Sequence, residues 1–154
     1  METAISGGAV ADAFEGLDAM LRQPNGCFEQ VSSVNYPNAM ILRRLRATKP
    51  DAWPGGAAEW EKAHKEAERL LSRGYQKMLA FQTRGGGFRL YPDEDYEPDV
   101  MFTAYALMQL TDMKEVLGVD VEGVVRNTVQ WLQARQNDSG TWPVYASRTA
   151  GGGI

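Results

Sequence analysis

Apolar residues in this chain recur mostly at steps of three and four rather than two, the spacing of helices with one buried face. Over about residues 4–22, Val10, Phe14, Leu17, Met20 and Leu21 follow that step. A second run, with Met40, Ile41 and Leu45, predicts a helix over about 37–48, with Pro37 near its first turn, where proline is tolerated. Arg43, Arg44 and Arg46 suit the negative end of its dipole. A long helix is expected over about 58–82, carrying Leu70, Leu71, Tyr75, Met78, Leu79 and Phe81, and two more over about 100–116 and 121–136. The stretches TKPDAWPGGAAEW and GGGFRLYPDEDYEPD, rich in proline and glycine, read as loops between them. The expected fold class is all-α, with at least five helices.

A repeat organises these helices. Gln82, Gly86 and Phe88 close the third helix, and Gln136, Gly140 and Trp142 close the fifth, 54 positions later in the same order. A copy shortened by one residue, Gln23, Gly26 and Phe28, stands near the start. Each copy is expected to end a helix on a glycine turn and to dock an aromatic ring on the next helix. Helix pairs repeating at such a period suggest a ring or solenoid of hairpins that lean on one another.

Composition narrows the classes. Apolar residues at 44% and charged residues at 23% describe a globular chain large enough for its own core. Sixteen basic against twenty acidic residues leave a net charge of −4 with no basic stripe, so nucleic acid is not an expected partner. No run is long enough to span a membrane, and direct membrane insertion is not expected. METAISGGAVADAFEGL carries no leader pattern, and the ending ASRTAGGGI is consistent with a piece of something longer.

The chemistry concentrates in the first repeat copy, P-N-G-C-F-E-Q, which places the only cysteine, Cys27, three residues before Gln30. If residues 27–30 form a tight turn, the Cys27 sulfur can attack the Gln30 carboxamide, expel ammonia and close a thioester ring. Gly26 supplies the backbone freedom for that turn, and Pro24 stiffens the approach. A thioester is a stored acylating agent and lasts only where water is kept out. Phe28, Tyr36, Phe88 and Trp142 are the aromatic residues expected to wall it. The commoner fate of a lone cysteine is a small buried hydrophobe. Glu29 either polarises the ring or serves the N-terminus of the next helix. His64, among Glu61, Lys62, Lys65 and Glu66, reads as solvent-facing, and the acidic run Asp93, Glu94, Asp95, Glu97 and Asp99 as a solvated loop; no metal and no cofactor is expected.

These residues resemble the thioester motif of the alpha-2-macroglobulin and complement family, usually GCGEQ followed seven residues later by a Pro-Asn pair; Pro37 and Asn38 hold that place here. The resemblance extends in order through GYQKMLAFQTRGGGF, TAYALMQL and WLQARQNDSGTW. It implies an α/α toroid of which about half is present, carried as one thioester domain, residues 1–154, of a larger multidomain protein. It implies a covalent trap, not an enzyme: an endopeptidase inhibitor whose Cys27–Gln30 thioester transfers its acyl group to proteases or to surface nucleophiles. The implied setting is secreted, or periplasmic in a bacterial member, with other domains of the same polypeptide as partners. Two departures stand out. Phe28 replaces the middle glycine. The histidine that hydroxyl-directed members carry after the last turn is missing between Pro143 and Gly153, where only Tyr145 lies nearby, so amines are the expected targets. The rival readings are a terpene cyclase or prenyltransferase-like ring enzyme that uses the acidic run, and a plain helical scaffold. Cut off from its neighbours, the domain is expected to hold a free Cys27 thiol and an intact Gln30.

Overall fold

In the computed structural model, residues 21–93 and 95–143 are described. They form α1 (Phe28–Ala47), a 3-10 turn (Pro50–Ala52), α2 (Gly56–Ala80), α3 (Val100–Leu117) and α4 (Glu122–Gln133). No strand occurs among the described residues, in keeping with the all-α expectation; only isolated bridges at Phe88 tie its turn to Gln82 and to Asp99. The expected helix over 4–22 lies outside the described residues but for its last two positions.

Local signals set the helix ends. Lys49 is extended before Pro50, as the residue preceding a proline prefers, and α1 stops there. Asp99 caps α3 by accepting from the backbone N–H groups of Met101 (2.7 Å) and Phe102 (3.3 Å). Gly118, at φ +68°, closes α3 in the left-handed region, and Asp120 accepts from Glu122 N–H at 3.0 Å to open α4.

The largest departure from expectation is the start of α1. It begins at Phe28, nine residues before Pro37, which therefore lies inside the helix rather than in its first turn. The proline has no N–H for the Ser33 carbonyl, a defect that an isolated helix bears poorly. Tertiary burial of Phe28, Val31, Leu42 and Leu45 on the same helix outweighs it.

Side-chain contacts give the helix directions. Trp60 donates to the Leu45 carbonyl at 2.9 Å and Lys77 to Asn25 at 2.6 Å, so α2 runs antiparallel to α1. Arg43 reaches Asp112 (2.9 Å) and Glu115 (2.7 Å) while Phe28 meets Phe102, so α3 runs parallel to α1. Phe28, Leu42, Leu45, Leu71, Met78, Phe88, Leu110 and Met113 form the core between these helices. This is the hairpin arrangement that the repeat suggested.

The two later repeat copies share one hydrogen-bond pattern. Gln82 Nε2 donates to the Gly86 carbonyl (3.2 Å), and Gln136 Nε2 to the Gly140 carbonyl (2.9 Å). Gly86 N–H bonds the Thr83 carbonyl and Gly140 N–H the Asn137 carbonyl, at 2.9 and 2.8 Å. Both glycines have positive φ, +97° and +81°. The repeated glutamine is thus a clamp across its own glycine turn. Phe88 then enters the core fully buried, whereas Trp142 stays partly exposed and donates to the Leu132 carbonyl at 2.8 Å.

Candidate functional site: the Cys27–Gln30 turn

Cys27 is the N-cap of α1, Phe28 its first residue, and Gln30 its third. The expected tight turn over 27–30 is therefore the first turn of a helix, which places side chains three apart on one face. Gln30 Oε1 accepts a 3.0 Å hydrogen bond from the Cys27 backbone N–H, so the carboxamide folds back over the cysteine. This is one half of a capping box, with glutamine reaching back to the N-cap. Gly26, at φ +93°, makes room for it: a Cβ there would lie 2.8 Å from Gln30 Cδ and closer still to Oε1.

Three tethers hold the turn. Asn38, fully buried, clasps the backbone of Arg22, its Nδ2 donating to the carbonyl (3.0 Å) and its Oδ1 accepting from the N–H (3.4 Å). Lys77 reaches from α2 to Asn25, and Phe28 N–H donates to the Leu90 carbonyl at 2.8 Å. Sequence reasoning placed Asn38 in a motif without a task; its task is to fix the segment leading into the turn. Lys77 and Leu90 were not singled out at all. Their long sequence separations leave no local signal.

Phe28 is the anchor below the turn. It is 0% exposed and meets Phe81 edge-on at 5.7 Å between centroids, Phe88 at 6.0 Å and Phe102 at 5.3 Å. Cys27 is buried at 8% exposure, whereas the Gln30 and Glu29 side chains face solvent. The four aromatic residues expected as a wall take different places. Phe28 and Phe88 lie beneath the pair as core, and Trp142 docks on its own repeat. Tyr36 sits nine residues along α1 from Cys27, about 14 Å at the helical rise. Tyr145 lies outside the described residues.

Glu29 occupies the first turn of α1, where a carboxylate favours the positive end of the helix dipole; the N-cap position belongs to Cys27. His64 is half-buried and stacks on Trp60 at 4.8 Å rather than standing free in solvent. It lies thirteen residues along α2 from Lys77, about 20 Å from the turn end of that helix. Asp99 is spent on capping α3 and Asp93 accepts from Asp95 N–H at 3.2 Å. Among the described residues no group of His, Cys, Asp or Glu gathers as a metal site, and no helix is long and apolar enough to cross a membrane.

Fold and turn together define a domain of helical hairpins whose first repeat copy presents a cysteine and a glutamine on the opening turn of a helix. The chain belongs to the A-macroglobulin TED domain family, whose description it matches over residues 1–148. It is 29% identical over 136 residues to Alpha-2-macroglobulin-like protein 1 of Mus musculus, covering 88% of this chain. It is 30% identical over 127 residues to Thioester-containing protein 1 allele R1 of Anopheles gambiae, and 28% over 126 residues to allele S3, each covering 82% of this chain. In each case the match spans 9% of the relative's own length.

Proposed function

We propose that Cys27 and Gln30 form an internal thioester and that this domain is the acylating part of a covalent trap. The observation that carries the reading is the Gln30 carboxamide folded back onto the Cys27 N–H at 3.0 Å, over a glycine that leaves room for nothing larger. In the forming step the Cys27 sulfur attacks Gln30 Cδ. The C–N bond breaks, and the thiol proton leaves with the amide nitrogen as ammonia. Negative charge gathers on Oε1 in the tetrahedral intermediate. The Cys27 N–H and the positive end of α1 are already directed at that oxygen.

In the capture step an amine attacks the same carbon. The C–S bond breaks, the target becomes an amide of residue 30, and the proton lost by nitrogen restores the Cys27 thiol. His64 is too far along α2 to act as a general base for hydroxyls, which favours amines such as lysine side chains as targets. The partners under this reading are an attacking protease or a nucleophile on a cell surface, outside the cell or in a periplasm. The exposed side of Gln30 is to be covered by other domains of a longer polypeptide, which keep water away until a conformational change releases them. The parallel α1 and α3, with Met40, Met101, Tyr105 and Met108 exposed, fit part of a larger helical ring.

The test is incorporation of a labelled primary amine into the protein as its cell makes it. Label at residue 30 with one new titratable thiol at Cys27 supports the trap; label elsewhere, or none, refutes it.

A further inference from the structure

Away from the thioester turn, the Thr83–Arg89 turn, the loop at Tyr96–Pro98 and the end of α4 enclose an open cleft of about 350 Å³. Gly85 lines it, and the two glycines that follow close the contact of this turn with α4. A Cβ on Gly87 would press into the Trp131 ring and lie 2.8 Å from Pro98, and one on Gly86 would meet the Asn127 backbone at 2.6 Å. The turn therefore lies flush against α4 and packs onto the Trp131 ring, which is buried.

Two guanidinium groups face this space. Arg135 is held over Trp131, 3.8 Å from the ring centroid, a cation–π contact that fixes the group while leaving its N–H edge free. Arg89 is half-buried, and its Nε is a buried donor with no hydrogen-bond partner. Buried donors are seldom left without an acceptor, whether protein, water or ligand. Among the described residues neither arginine forms an ion pair, although this chain pairs seven other basic–acidic contacts. Glu97 lies on the rim, so two cationic groups less one carboxylate leave the cleft a net formal charge of +1.

We infer that this cleft binds a monoanionic carboxylate, the side chain or chain end of a peptide, between Arg89 and Arg135. The fork of a guanidinium matches the two oxygens of a carboxylate, and the exposed Tyr96 ring provides flat apolar surface for the chain that bears it. Glu97 selects against phosphate, whose second charge would meet its carboxylate. The volume admits a side chain with its flanking backbone and stands at the small end of ligand sites.

The Arg89 Nε–H and Trp131 Nε1–H signals in nitrogen-correlated NMR spectra of the full chain report on the site directly and do not depend on Cys27. The expected result is a saturable shift of both on titration with acetyl-Gly-Asp-Gly-amide and no saturable shift with the Asn peptide. Arg135→Gln, read at Arg89, and Arg89→Gln, read at Trp131, should each weaken binding roughly tenfold in a protein whose remaining amide spectrum matches the wild type, the loss of one charge-assisted pair. Tighter binding of the Asp peptide than of acetate supports the proposal; acetate binding as tightly as the peptide overturns it. Equal response to the Asn peptide, no saturation with any carboxylate, or tighter binding of inorganic phosphate overturns the proposal.

Discussion

Gly26 and Phe28 flank Cys27, and they do opposite work. Gly26 supplies absence: at φ +93° an alanine carries about 1–2 kcal/mol of backbone strain, and its Cβ would occupy the place of the Gln30 carboxamide. Gly26→Ala should lower the stability by about that amount and, more tellingly, push Gln30 off the Cys27 N–H. Chemical denaturation and the yield of amine incorporation check the two effects separately. Phe28 supplies mass. Where related motifs carry glycine, this chain places a ring touching three other phenylalanines, so Phe28→Gly should cost about 3–5 kcal/mol. A loss under about 1 kcal/mol would mean that the ring is not the anchor described here. The Cys27–Gln30 spacing was legible because a three-residue step speaks for itself. The tethers from Asn38, Lys77 and Leu90 were not, because each joins residues that only the folded chain brings together.

Among the helices, the contact between α1 and α2 contains a glycine whose substitution should go against rule. Gly74 lies within α2, where alanine ordinarily stabilises by about 1 kcal/mol. A Cβ at that site, however, would lie 2.5 Å from Cγ of Asn35, which is fully buried on α1. Gly74→Ala should therefore destabilise, and Asn35→Ala in the same chain should restore much of the loss. The double-mutant cycle, read by denaturant midpoints, should show a coupling above about 0.5 kcal/mol; additive effects would contradict the packing. Element types were read correctly from periodicity for all four described helices. The start of α1 was misplaced because Pro37 is a strong local signal, and here burial of the preceding turns overrides it. The repeat was visible as Gln, Gly and aromatic letters, but the glutamine's clamp on its own glycine carbonyl needs coordinates to be seen.

Over the whole molecule, α2 is also held to the α3–α4 corner by Tyr75, whose hydroxyl donates to the Asp120 carbonyl at 3.3 Å. Burial, and secondarily the negative charge of Asp120, raise the Tyr75 pKa above its usual value near 10. A raised folded value means that the neutral phenol is favoured by folding. Its contribution is whole below pH 10, the unfolded value, and fades as the pH climbs through the folded one. Tyr75→Phe should flatten the alkaline fall in melting temperature and leave its course near neutrality unchanged in shape. The hairpin architecture and the family were legible in the sequence, because motif and repeat run in order through the chain. What covers Gln30 was not, since Phe28 and Phe88 are committed to the core and Trp142 to its own turn.

The central claim is a bond between the Cys27 sulfur and the Gln30 acyl carbon, and intact mass reads it directly. In the polypeptide as its cell makes it, the untreated protein should be one ammonia lighter than its sequence, and Cys27→Ala should abolish the deficit. A wild-type mass with the full complement of atoms, or a deficit that survives Cys27→Ala, would contradict the account.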